Sequence, residues 1–382
     1  MISPKPASRN NIQVVPFDER HRVSVADFNR RLRVAGSPWG FYEEPTPDWI
    51  APRPGQSVWR EFHLAVDESG LVRGAYALKP QPWWIRGQTH TVADWQGPFS
   101  EGSIDPRYNT LGLRMIRDML KKYPLLYSWG HGGNEQPVVQ MLLKMGWVMH
   151  STPFCLLVLK PFRFLRYNAL LRSTHARRLL LDLGAFSGAG FVLLKGMHAA
   201  LHARHGRRFT AEAVQVPSFA DWADRVWERC RDRYLGIAQR DAASMNALVP
   251  ELGWPAAIRL RVVRAGQVLG WAVVMDTAMR GDARFGDLRV GSIVDCLADP
   301  SDAGEVVAAA SRILRERGVD IVVSNQAHPD WVRGFGANGY AVLPNKRMFA
   351  PSPALRALLE PFEEAARGLH LTNMDGHGPM AL

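Results

Sequence analysis

Two carboxylates, Asp94 and Glu101, precede the segment SIDPRYNTLGLRMIRDMLKKY, in which a strand passes through an AspPro step and a Gly-containing turn into an amphipathic helix. The first amides of a helix have no partner within it and, with the helix dipole, make a ready site for a pyrophosphate. Gly112 permits close approach there. Leu113, Ile116, Met119 and Leu120 form an apolar stripe, leaving Arg114, Arg117, Lys121 and Lys122 for solvent or phosphate. A general base, a group that takes a proton from a bound molecule, is the other chemistry these residues could supply. Asp94 or Glu101, on the strand before the turn, is placed to act directly or through water, and His131 in the loop HGGN is an alternative. The same residues also fit a solvated basic face and salt-bridged carboxylates.

A counterpart segment, GSIVDCLADPSDAGEVVAAASRILRERGVDIVVSNQ, occurs in the second half, but its turn is acidic. Asp302 and Glu305 would repel a pyrophosphate. Asp295 and His328 are candidates to line a facing cleft, while Cys296 reads as a small buried hydrophobe. Trp83, Trp84 and Trp95 offer flat faces either to a sugar or aromatic acceptor or to core packing. His198, His202 and His205 have helical spacing, but without an accompanying carboxylate or cysteine pattern no metal is assigned.

The elements that must position these residues come twice. VADFNRRL at 25–32 matches FADWADRV at 219–226, the AspPro at Asp105 matches that at Asp299, and Gly146 with Trp147 matches Gly339 with Tyr340, all at an offset of about 194 residues. In the first copy, periodicity predicts a strand from residue 12 to 16, a helix over 24–35, and a hairpin of 62–66 with 72–78 across AspGluSerGly. The second copy repeats this with 214–217, 220–234, and a hairpin of 258–263 with 268–275. The expected organisation is a first domain at 1–162, a basic helical linker at 163–208, a second domain at 209–350 with a degenerate turn, and a helix and tail at 351–382.

A chain of 382 residues fits two domains, and 47% hydrophobic with 22% charged residues is a folded composition. Three scattered cysteines give neither a disulfide framework nor a zinc ribbon. With no apolar leader at the amino terminus, the expected location is the cytoplasm. The apolar run at 183–194 is shorter than the roughly 20 residues that span a bilayer, so the linker is read as connecting helices, with peripheral membrane contact as the alternative. A net charge of +11 favours anionic partners, yet no helix-turn-helix or zinc finger points to DNA.

At the turn Asn109, Thr110, Leu111, Gly112, Leu113, Arg114 the chain resembles the GNAT superfamily of N-acetyltransferases, whose Q/RxxGxG/A turn holds the pyrophosphate of an acyl-coenzyme A. Gly112 keeps the central glycine, whereas Asn109 and Arg114 depart from the pattern. The following GGNEQPVVQMLLKMGWV is similar to the family's next helix, with Asn134 at the position that often contacts the coenzyme arm. Met141, Leu142 and Leu143 stand where a tyrosine acid is usual. The resemblance covers about 10–160 and 209–350 and extends to tandem FemAB-like transferases. It implies two tandem GNAT-like domains, each a mixed, largely antiparallel twisted α/β sheet flanked by helices. It also implies an acyl-CoA-dependent N-acyltransferase using acetyl-CoA or another acyl-CoA, with an amine, amino sugar or nucleotide sugar of cell-surface polysaccharide synthesis as acceptor. The alternatives are a transferase that takes its group from aminoacyl-tRNA, and a non-catalytic scaffold that kept the fold.

Overall fold

The computed structural model describes residues 12–130, 132–193, 196, 208–250, 256–344 and 348–380. The first copy runs β1 (Gln13–Pro16), α1 (Arg22–Val34), β2 (Glu61–Val66), β3 (Val72–Ile85), β4 (Gln88–Ser100), α2 (Leu111–Lys122), β5 (Leu126–Trp129), α3 (Pro137–Lys144), β6 (His150–Ser151) and β7 (Phe154–Val158). On α1, Val25, Phe28 and Leu32 recur at helical spacing and bury one stripe against Leu64, Val72 and Ala75 of the sheet. The β2–β3 turn is held by Asp67, whose carboxylate accepts from the amides of Ser69 and Leu71.

Strand β3 continues to Ile85, seven residues past the expected end at 78. Pro80 and Pro82 lack the N–H that a central strand uses, which is why the pattern seemed to stop. They are tolerated because β2 pairs with β3 only through Leu78, and the next partner on that side takes up only Trp83 to Ile85. That partner is β9 (Gly236–Ala238), contributed by the second copy.

The second copy runs through β8 (Glu212–Val216), α6 (Asp221–Cys230), β10 (Ile258–Arg264), β11 (Gln267–Ala278), β12 (Arg289–Ala298), α7 (Ala303–Glu316), β13 (Ile321–Asn325), α8 (Pro329–Ala337), β14 (Ala341–Leu343) and β15 (Met348–Pro351). The first sheet has the order β1-β2-β3-β4-β5-β15-β6 and the second β14-β7-β13-β12-β11-β10-β8. In both, the parallel pair consists of the strands on either side of the helix that follows the turn, β4 with β5 and β12 with β13; the other ladders on these paths are antiparallel.

The two copies exchange a strand. β7 leaves the first copy to lie between β13 and β14, and β15 leaves the second to lie between β5 and β6. The sequence boundaries at 162 and 350 therefore follow the chain and not the sheets. A final strand, β16 (Leu369–His370), pairs with β9 and brings the tail back across the first sheet. Between the copies, α4 (Pro161–Tyr167) and α5 (His175–Phe186) pack on each other, joined by Asp182 to Arg166 and Arg172. The histidines at 198, 202 and 205 lie outside the described residues.

Candidate functional site

The β4–β5 ladder covers only Ala93 to Trp95 against Leu126 to Ser128. Beyond it β4 is bulged, with Gly97 and Pro98 opposite Tyr76 and Gly97 at φ 52°, so the two parallel strands part at the end from which α2 and the loop to α3 depart. The C-terminal end of a parallel strand pair, with helix starts beside it, is where α/β sheets place ligands.

α2 begins there after Thr110, with no side chain capping its first amides. Asn109, Thr110 and Arg114 are exposed, Leu111 is buried, and Gly112 and Leu113 are half-buried. A Cβ on Gly112 would meet only the Met141 side chain, at 4.0 Å, so the start of α2 is open to a ligand. Exposed Asn134 lies in the adjoining turn, its carbonyl accepting from Gln140 Nε2 at 2.6 Å. His131 lies outside the described residues.

The second copy's counterpart is closed. A Cβ on Gly304 would come within 2.6 Å of the Phe209 ring, and Gly334 of α8 lies so close that its own Cβ would be 3.0 Å from the Gly304 amide nitrogen. Glu305 accepts from the amides of Thr210 and Ala211 and pairs with Arg264, which also reaches Asp302. These carboxylates fasten the segment entering the second copy over the helix start.

The carboxylates before the two turns differ in setting. Asp94 is on β4, directly opposite Lys79 of β3, and both are fully buried. Gln96 Nε2 donates to Asp94 Oδ2 at 2.7 Å, while Oδ1 has no partner among the described residues. Burial raises the Asp94 carboxyl above its usual range, against the pull of the Lys79 charge, and burial lowers the Lys79 ammonium. Glu101 is past the strand, in a single turn of 3-10 helix, where Arg31 and Arg73 take one oxygen each at 2.8 and 2.9 Å. Asp295 stands four residues before its AspPro as Glu101 does, and it too is held by arginine: Arg240, wholly buried, joins Asp295 at 3.1 Å to Asp375 at 2.8 Å. Thr372 Oγ1 donates to Asp295 at 2.8 Å. His328 caps α8, and Cys296, its thiol pushed well up by burial, accepts from Gln326.

The tail packs over Asp94 and Lys79, and its partners were not legible as a motif. Lys79 Nζ donates to the carbonyls of Met374, Asp375 and Gly376 at 2.7 to 2.8 Å, Gln96 donates to Gly376, and the Tyr127 hydroxyl donates to Asp375. Gly376 and Gly378 are required by contact, since a Cβ would stand 2.5 Å from Trp129 and 2.3 Å from Trp49. A lone lysine inside the apolar run ALKPQPWW was the one available signal for Lys79. Trp83 and Trp95 are core residues on opposite faces of the first sheet, and Trp84 is half-buried, its indole N–H donating to Asp232. Among the described residues no cluster of three or more metal-ligating side chains occurs.

No family model and no curated protein matches the sequence. Solved structures do match in shape. A probable N-acyltransferase from Enterococcus faecalis, described as a conserved protein of unknown function, superposes with a TM-score of 0.50 at 10% identity, over 92% of this chain and 74% of its own. Saccharomyces cerevisiae N-myristoyltransferase with bound myristoyl-CoA and inhibitors superposes with a TM-score of 0.52 at 10% identity, over 92% of this chain and 82% of its own. At such identity the likeness concerns the fold: two mixed, largely antiparallel sheets flanked by helices, the tandem GNAT-like architecture.

Proposed function

We propose that the protein is an acyl-CoA-dependent N-acyltransferase whose donor binds in the first copy, between the parting ends of β4 and β5 with its pyrophosphate at the start of α2. The observation that carries this reading is the contrast between Gly112, where an added Cβ would meet only a flexible methionine, and Gly304, closed by Phe209 and α8. Asn109 to Arg114 supply the cradle, with Asn134 beside it. Bound acyl-coenzyme A in a fold neighbour of N-acyltransferase name supports the donor class.

In this reading Asp94 is the base. Its raised affinity for a proton suits an acid–base role near neutral pH, and its unpartnered oxygen is available to take a proton from the acceptor ammonium, directly or through one water. The freed amine attacks the thioester carbonyl, an N–C bond forms as the C–S bond breaks, and the departing coenzyme thiolate takes up the proton that the nitrogen sheds on becoming an amide. Both Glu101 oxygens are occupied by arginines, which favours Asp94 over Glu101. The acceptor is an amine, an amino sugar or nucleotide sugar in this reading, and the tail, held by Lys79 and Gln96, would have to move aside to admit it to Asp94. Calorimetric titration with acetyl-CoA, a longer acyl-CoA and free coenzyme A tests the reading. Binding that disappears in Gly112→Trp supports it. Absence of binding by all three would sink it and turn the search to charged tRNA.

A further inference from the structure

Helix α5 carries its apolar side outward. Leu179, Leu183 and Phe186 fall on one stripe at spacings of four and three, with Leu180 beside it, and all four are 70 to 74% exposed. The inward side holds the helix's one carboxylate: Asp182 accepts from Arg166 and Arg172. The apolar surface continues into Val192 and Leu193, 69 and 74% exposed, and into Phe162 of α4, whose ring meets Phe186 edge to face at 5.5 Å. None of these side chains belongs to a core cluster.

The surrounding charge identifies what covers this face. Residues 161–193 contain five arginines and a single aspartate, and that aspartate is already engaged by Arg166 and Arg172. Arg177 and Arg178 are exposed and, among the described residues, bond only to neutral acceptors, Ser173 Oγ and the Arg172 carbonyl. Arg280 and Arg284 are exposed on a loop beside α4, where the Asp287 carbonyl accepts from Arg163 and the Arg284 carbonyl from the Leu170 amide. With that loop counted there are seven arginines against three aspartates, and Asp282 and Asp287 already accept from backbone amides, so two copies placed face to face would crowd an excess of guanidinium groups together. An anionic lipid surface supplies both missing parts, phosphates for the arginines and acyl chains for the leucines and phenylalanines. Among the described residues no helix is long and apolar enough to cross a membrane, and a helix of this kind lies in the interface plane.

We propose that α5 and the apolar residues that follow it dock the protein onto the surface of an anionic lipid bilayer. The test is co-sedimentation of the full chain with vesicles of phosphatidylcholine alone or mixed with phosphatidylglycerol, at low and high salt. Binding to the mixed vesicles that weakens with salt, and that drops about tenfold in Leu179→Asp/Leu183→Asp/Phe186→Asp, is the expected result. Arg177→Gln/Arg178→Gln should keep the fold and flatten the salt dependence. Because every substituted side chain is exposed, an unchanged thermal midpoint certifies folding. Absence of binding to mixed vesicles, equal binding by the triple variant, or a self-associating chain that the triple variant makes monomeric without any vesicle binding would each overturn the proposal, the last in favour of a second copy. Coenzyme titration of the same samples reads the donor site independently of this surface.

Discussion

Gly112 and Gly304 sit at matching turns, yet one helix start is open and the other is sealed. The difference lies in what packs on the turn. In the first copy the neighbouring helix presents only Met141, at 4.0 Å. In the second, Phe209 and the Gly334 face of α8 occupy the space a phosphate would take, and Glu305 is spent on holding the incoming chain. A duplicated domain can thus keep its architecture while one copy's ligand end becomes internal support. The carboxylates do not follow that division: Glu101 and Asp295, at equivalent places, are both bound by arginine, and Asp94 and Asp295 each keep one oxygen without a partner among the described residues.

Four changes would break or sharpen this contrast. Asp94→Asn should lower turnover about a thousandfold, on the order of 4 kcal/mol, while coenzyme binding persists. The wild-type rate should fall on acidification through the raised Asp94 pKa, because the base acts only when ionised, and the variant should lose that limb of its pH–rate profile. Gly112→Trp should weaken acyl-CoA binding by about a hundredfold in calorimetry with the thermal midpoint unchanged, since the new side chain fills space the ligand needs and no core residue does. Phe209→Ala should cost about 2 kcal/mol in urea unfolding, less than a fully buried phenylalanine because the ring is half-buried. It should confer no coenzyme binding, as Asp302 and Glu305 remain; new binding would mean that blockage alone separates the copies.

The smallest effect concerns the tail. His370 is wholly buried, with its pKa pushed down to about 4 by burial. The folded state therefore binds fewer protons than the unfolded chain, whose histidine titrates near 6.5, so this contribution to stability is complete above that value and is lost as pH falls toward 4. Urea midpoints should show about 1 kcal/mol less stability at pH 5.5 than at pH 7.5, a loss reduced in His370→Gln.

Much of the architecture was readable because the repeat and the periodicities are local properties. The AspPro steps and the two hairpins mark the same positions in both sheets. The length of β3 was hidden by Pro80 and Pro82, whose tolerance depends on where β2 stops and β9 begins. Asp94 was legible as a carboxylate before the turn, but its pairing with Lys79 follows from the β3–β4 register, hidden with the true length of β3, and the Arg240–Asp375 link joins residues far apart in the chain. Closure of the second turn by Phe209 was likewise a matter of packing. Its acidity was visible, although Asp302 and Glu305 serve to bind Arg264 and backbone amides.

The crossing of β7 and β15 bears on how the chain is made. During synthesis the outer edge of β5 stays unpaired until residues 348–351 have emerged, so the first sheet cannot be finished when its own copy has been translated. Completion waits on contacts more than 200 residues apart, a topology that slows folding and leaves a strand edge open to wrong partners. Cutting the gene between the copies would yield two halves that each lack an interior strand, and mixing the two purified halves should restore structure that neither holds alone.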